Sequence, residues 1–143
     1  MRIYKIFLVA CIGAIALTSF DSCSKDKLKE CTELPTTPCK EDLTKTNIRI
    51  KNISSNDYCN VIIKGQDGVT VNYGSLKSGE TSCYNSYDKM YRYSYIKVTI
   101  DGEDFELQPI DFVGETPLEI GKFTYSVNNN NEGKQLTIST TKD

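Results

Sequence analysis

The stretch YRYSYIKVTIDGEDFELQ, residues 91–108, decides the fold class. Ile96, Val98 and Ile100 alternate with Lys97 and Thr99. That two-residue period puts the apolar side chains on one face of a strand. Asp101-Gly102 follows, a pair suited to a two-residue hairpin because both positions tolerate positive φ. EDFELQ (103–108) then returns from the turn.

The same grammar continues to both sides. Upstream lie TNIRIKNI (46–53), YCNVIIKG (58–65), VTVNY (69–73) and TSCY (81–84), separated by SSND, QDG and GSLKSGE. Downstream, a loop containing Pro109 and Pro117 leads to KFTYSVN (122–128), and NNNNEG turns into KQLTIST (134–140). Short β-type runs broken by turn signals predict an all-β domain over 46–143, with no helical periodicity longer than a turn. Tight turns between consecutive strands favour antiparallel pairing, and two packed sheets would bury the Ile, Val, Phe and Leu faces. The expected fold is therefore an antiparallel β-sandwich of about seven to eight strands. The chain has no Trp, so the buried tryptophan of immunoglobulin domains is missing.

Ahead of this domain the chain reads as an address. Arg2 and Lys5 precede the apolar run IFLVACIGAIAL, residues 6–17. A bilayer-spanning helix needs about 20 apolar residues, so this run fits a secretory signal instead. TSFDS and then Cys23 follow. A cysteine just past the signal resembles the acylated cysteine of bacterial lipoproteins, which implies residues 1–22 as signal peptide and Cys23 as the lipidated, palmitate-bearing residue. The LVAC box ending at Cys11 would leave a very short signal and expose IGAIALTSF, which favours Cys23. The charged SKDKLKE after Cys23 resembles the surface-export signal of Bacteroidetes-type lipoproteins. Residues 23–45, polar and carrying Pro35 and Pro38, are expected as a flexible linker between anchor and domain.

With Cys11 leaving in the signal and Cys23 taken by lipid, Cys31, Cys39, Cys59 and Cys83 remain. An even count in an exported chain reads as two disulfides. Three pairings exist. Cys31–Cys39, bracketing ELPTTP, with Cys59–Cys83 inside the β domain, is the expected one. A zinc site would show tighter C-x₂₋₄-C pairs, so no metal is expected.

Composition narrows the function classes. The chain carries 17 basic and 19 acidic side chains; losing Arg2, Lys5 and Asp21 with the signal leaves 15 against 18, a balance of −3. No basic stripe appears, so nucleic acid is not an expected partner. The absence of His removes the commonest general base and metal ligand. No phosphate loop, nucleophile elbow or metalloprotease helix is present, and no cofactor is expected.

Tyrosine is the strongest anomaly. Tyr84, Tyr87, Tyr91, Tyr93 and Tyr95 fall within twelve residues. Tyr91, Tyr93 and Tyr95 have the parity opposite to Ile96, Val98 and Ile100, so they point outward if the Ile/Val face is core. Outward rings with polar tips suit stacking on sugars or contact with a protein partner; the competing reading is that they cover a loop or a sheet edge. Asp101, Glu103, Asp104, Asp111 and Glu115 sit at turns and read as solvated tips rather than a Ca²⁺ loop. Asn52-Ile53-Ser54 matches a glycosylation sequon, by chance in a bacterial lipoprotein.

Three stretches, NYGSLKSGETSCY, YRYSYIKVTIDG and LQPIDFVGETPLEIGKFTY, resemble a family of small Bacteroidetes-type surface lipoproteins. The resemblance covers most of the mature chain. It implies export to the cell envelope, an outer-membrane lipoprotein exposed at the surface, and a β domain. It carries over no catalytic residue. The expected function is a non-catalytic surface module that binds a glycan or protein partner or serves as an accessory subunit. A structural or assembly part of the envelope or a pilus is the alternative, and an enzyme or inhibitor ranks last.

Overall fold

The computed structural model describes residues 31–130 and 134–143. Eight strands are present among the described residues: β1 (Thr46–Asn52), β2 (Val61–Lys64), β3 (Thr70–Asn72), β4 (Asn85–Tyr87), β5 (Tyr95–Ile100), β6 (Glu103–Leu107), β7 (Gly121–Asn130) and β8 (Gln135–Lys142). No helix occurs among the described residues, so the domain is all-β as the sequence predicts. The Asp101-Gly102 hairpin forms with φ of 49° and 72°, the left-handed pair its sequence calls for.

The pairing departs from an antiparallel sandwich. All eight strands hydrogen-bond into one sheet in the order β3-β2-β5-β6-β8-β7-β1-β4. Strands joined by tight turns are antiparallel: β2 with β3, β5 with β6, β7 with β8. Two pairs distant in sequence, β1 with β7 and β6 with β8, are parallel. Turn chemistry specifies only neighbours in sequence. The direction of β7 is set instead by the long 108–120 connection, which lets it lie beside β1 over seven residues, from Thr46↔Gly121 to Asn52↔Val127. The TSCY strand is displaced too: β4 forms over Asn85–Tyr87, and Thr81 keeps only an isolated bridge to Lys51.

The sheet curls until its two ends meet, giving a near-barrel. Tyr73, just past β3 at one end, donates its hydroxyl to the carbonyl of Ile48 in β1, at 2.9 Å. The Tyr73 hydroxyl oxygen also contacts the Tyr87 hydroxyl in β4 at 3.2 Å. Since Tyr73 has spent its one proton on Ile48, Tyr87 is the donor. Inside the curl, Ile48, Ile50, Val61, Ile63, Ile96, Val98 and Val127 are fully buried. Tyr58, Tyr73, Tyr87, Tyr91 and Tyr125 are buried with them. The Tyr58 hydroxyl donates to the Val127 carbonyl and that of Tyr125 to the Tyr91 carbonyl. The rings of Tyr58, Tyr73, Tyr87 and Tyr125 thus add apolar bulk while their polar tips are satisfied. Gly65 makes one of these placements fit, because a Cβ there would come within 2.7 Å of the Tyr87 ring.

Residues 31–45, expected as the later part of the linker, are laid across the outside of the barrel as a strap. The disulfides are Cys31–Cys59 and Cys39–Cys83, with Cα–Cα distances of 6.1 and 5.9 Å. This corrects the expected Cys31–Cys39 and Cys59–Cys83 pairs. The chain between Cys31 and Cys39 does not turn back on itself. It crosses from Asn60, whose amide oxygen accepts from Leu34 N–H at 2.9 Å, to Tyr84, whose carbonyl accepts from Lys40 N–H at 3.2 Å. Cys59 does not share the inward face of Val61 and Ile63; it is half-exposed and turned to the strap.

The strap also occupies the seam between the edge strands. Thr37 N–H donates to the Asn72 carbonyl at 2.8 Å, and Thr37 Oγ1 accepts from Asn72 N–H at 3.0 Å. Three residues on, Lys40 accepts from Ser86 N–H at 2.9 Å. One short segment thus pairs with β3 on one side and with β4 on the other. Gly74 (φ +79°) permits this, since a Cβ there would lie 2.8 Å from Thr36 Oγ1.

Two outcomes follow. Replacing Cys39 and Cys83 together by Ser frees a loop of sequence separation 44, and the loop-entropy relation puts the loss at about 4 kcal/mol; urea denaturation of the oxidised protein measures it. Burial raises the hydroxyl pKa of Tyr73, Tyr87 and Tyr125. A raised folded-state value contributes stability that is complete below the unfolded tyrosine pKa, about 10, and is lost as pH rises toward the folded value. The urea midpoint is therefore expected to fall steeply above about pH 10, and less steeply in Tyr87→Phe.

Candidate functional site

The three tyrosines expected to share an outward face do not act alike. β5 begins only at Tyr95, so Tyr91 and Tyr93 lie in the segment leading into it. Tyr91 is buried, and its ring stacks on Phe112 with centroids 4.4 Å apart. Tyr93 stacks on Phe112 as well, at 5.5 Å, and donates its hydroxyl to Glu115 at 3.1 Å. Leu118 N–H donates to the Met90 carbonyl at 2.8 Å. The Pro109–Pro117 loop is thereby clamped over Tyr91 and Tyr93, which is the loop-covering role.

Tyr95 is different. It faces away from Ile96, Val98 and Ile100, as its parity predicts, and stays half-exposed. With Phe112 and Pro109 it forms the apolar part of a groove of about 260 Å³, edged by Lys64, Gln66 and Gln108. Desolvation first, then the nearby Glu106 carboxylate, raise the Tyr95 hydroxyl pKa, so the ring stays neutral at physiological pH. An aromatic ring beside two amides and an ammonium offers a stacking surface with donors and acceptors at its edge. Phe112, Gln66 and Gln108 do not stand out in the sequence; the apolar PIDFV in a proline-bounded loop is the one signal that points to Phe112.

Next to this groove the loop tip is apolar and uncovered. Ile110 is 99% and Val113 88% exposed.

Among the acidic residues at turns, Glu103, Asp104, Asp111 and Glu115 make structural contacts, and Asp101 is exposed at its tip. Asp104 accepts from Thr99 Oγ1 at 2.8 Å and pairs with Lys97 at 3.2 Å; the Thr99 hydrogen bond is the main reason its pKa is lowered. Glu103 pairs with Lys134 at 2.8 Å. No cluster of Cys, Asp and Glu able to hold a metal exists among the described residues. The sequon residue Asn52 is fully buried and donates its amide to the carbonyls of Asn56 and Leu76, so it organises a turn. Cys23 lies outside the described residues.

A second feature comes from asparagines on the barrel wall that hold the strap. Asn60 accepts from Leu34 N–H and donates to the Thr32 carbonyl. Asn72 donates to the carbonyls of Leu34 and Pro35 and accepts from Gly74 N–H. Asn85 accepts from Lys40 N–H at 3.1 Å, yet its Nδ2 has no hydrogen-bond partner among the described residues although the residue is 97% buried. Leaving such a donor unsatisfied costs about 1–3 kcal/mol. Asn85 lines an opening of about 460 Å³ in the seam, between the strap, β3 and β4. Asparagine is depleted in strands, so Asn60, Asn72 and Asn85 were available as a sequence signal.

No family model matches the chain, and no curated protein matches it. Among solved structures the chain is similar to one described as "NMR structure of the protein from Eubacterium rectale", at 18% identity and a TM-score of 0.49, over 71% of this chain and 94% of that one.

Proposed function

We propose that the chain is an exported lipoprotein, anchored at Cys23 in the outer membrane, whose domain is a non-catalytic binding module that takes a sugar ring in the Tyr95–Phe112 groove. The observation that carries the binding role is that groove: a half-exposed tyrosine and a phenylalanine, with Lys64, Gln66 and Gln108 at its edge. A pyranose has an apolar face for an aromatic ring and hydroxyls at its rim for amides and an ammonium. Two disulfides support export, since such bonds persist in oxidising compartments. The resemblance to small Bacteroidetes-type surface lipoproteins supports the same localisation. A role in strand-exchange assembly has less support, because the strap engages both β3 and β4 at the seam.

A glycan array, followed by calorimetric titration of the retained sugar, tests the binding role. Tyr95→Ala is expected to weaken binding about tenfold, roughly 1.4 kcal/mol, with an unchanged melting temperature. Tyr91→Ala, in contrast, removes a buried stacked ring and is expected to cost about 3 kcal/mol of stability. An array that retains nothing, or a Tyr95→Ala protein that binds as the parent does, overturns this reading. For the anchor, radiolabelled palmitate is expected to mark the parent chain in cells, and Cys23→Ser is expected to abolish the label.

A further inference from the structure

We propose that the opening in the seam is a second binding site, for a carboxylate carried on a short branched apolar body. The wall and its chemistry come from four places in the chain. Val69 from the β3 side, 42% exposed, and Pro38 from the strap give it an apolar lining, with Val71 buried in the core behind them. Lys40 and Lys45 stand at the same opening. Lys45 is already paired with Asp88 at 2.8 Å, but the Lys40 ammonium has no ion-pair partner among the described residues. Asn85 completes the set with its unpartnered Nδ2.

The seam explains why a donor is left over here and not beside Asn60 or Asn72. The strap fills the seam only through Lys40 and then leaves it, turning through the Lys45 N–H to Asp42 carbonyl bond into β1. Beyond that point β3 and β4 face each other with no stave between them among the described residues. At the far end the gap is closed by Asp67, which accepts from Asp88 N–H at 2.8 Å. Alternation along β3 adds backbone groups to the same place. Gly65 N–H donates to the Val69 carbonyl and Tyr73 N–H to the Val61 carbonyl, whereas Asn72 turns its own groups to Thr37. Thr70 shares the parity of Asn72, so its N–H and C=O face the gap.

An oxygen anion matches this set: it accepts from Asn85 Nδ2 and neutralises Lys40, while a branched carbon body lies on Val69 and Pro38. Two sources carry that chemistry, a free short-chain acid and the C-terminal residue of a peptide. The site is separate from the Tyr95 groove and stands or falls independently of it.

Titrating the ¹⁵N-labelled protein with isovalerate, with Ala-Ala-Val, and with the same tripeptide amidated at its C-terminus tests the proposal. The Asn85 side-chain amide pair and the Val69 and Val71 resonances are expected to shift saturably, while Tyr95 stays unmoved. Saturation by isovalerate identifies a free acid; saturation by the tripeptide alone identifies a chain terminus. Equal binding of the amidated peptide, or no shift with any of the three, overturns the proposal. Changing Asn85 would also release Lys40 N–H, so the variant of choice is Val69→Asp, at a position 42% exposed. It is expected to weaken binding at least tenfold with an unchanged melting temperature, and undiminished binding would equally overturn the site.

Discussion

A curled sheet has two edge strands, and this barrel exists because a piece of chain from outside the sheet reconciles them. Thr37 pairs with Asn72 next to one edge, and Lys40 bonds to Tyr84 and Ser86 at the other. Cys39, between them, is bonded to Cys83. Tyr73 and Tyr87 do the same task from within, linking β3 to β1 and β4 by hydroxyls. Sheet edges with unpaired amides invite foreign strands. Here the polar groups of both edges are drawn into one seam, and the curl that brings them together also buries the Ile and Val faces.

Tyrosine is used in two ways that composition cannot separate. Tyr58, Tyr73, Tyr87 and Tyr125 act as long hydrophobes with a tether, each ring in the core and each hydroxyl on a partner within it. Tyr91 and Tyr93 act as the landing for a loop, through Phe112. Tyr95 alone of the three singled out from the sequence is left with an open ring face beside polar groups. The candidate site is therefore made by a loop that covers two rings and stops short of the third.

Much of this was legible in the chain, and the rest was hidden for definable reasons. Period-two alternation located the β5–β6 hairpin and its Asp101-Gly102 turn, because burial on one face and positive φ are local demands. Parallel pairing of β1 with β7 was not legible, since it is fixed by which apolar faces meet after the chain has wandered through the whole barrel. The cysteine pairing misled for a related reason. Short separation favours Cys31–Cys39 by loop entropy, but asparagines far along the chain hold the strap open and send its two cysteines to different strands. Parity placed Tyr95 correctly and could not foresee that β5 starts too late to include Tyr91 and Tyr93.

The disulfides also fix the path that mechanical force would take. A pull applied upstream of Cys31 enters the barrel at Cys59, beside β2 and hydrogen-bonded to Thr99 of β5, the second and third strands in from the β3 edge. The strap lies behind that covalent junction, so its hydrogen bonds to Asn72, Tyr84 and Ser86 carry no load. Cys39–Cys83 secures it a second time at the seam. Tension that would otherwise peel the outermost segment first, and open the barrel like a zip, is delivered to the sheet interior, where neighbouring strands share it.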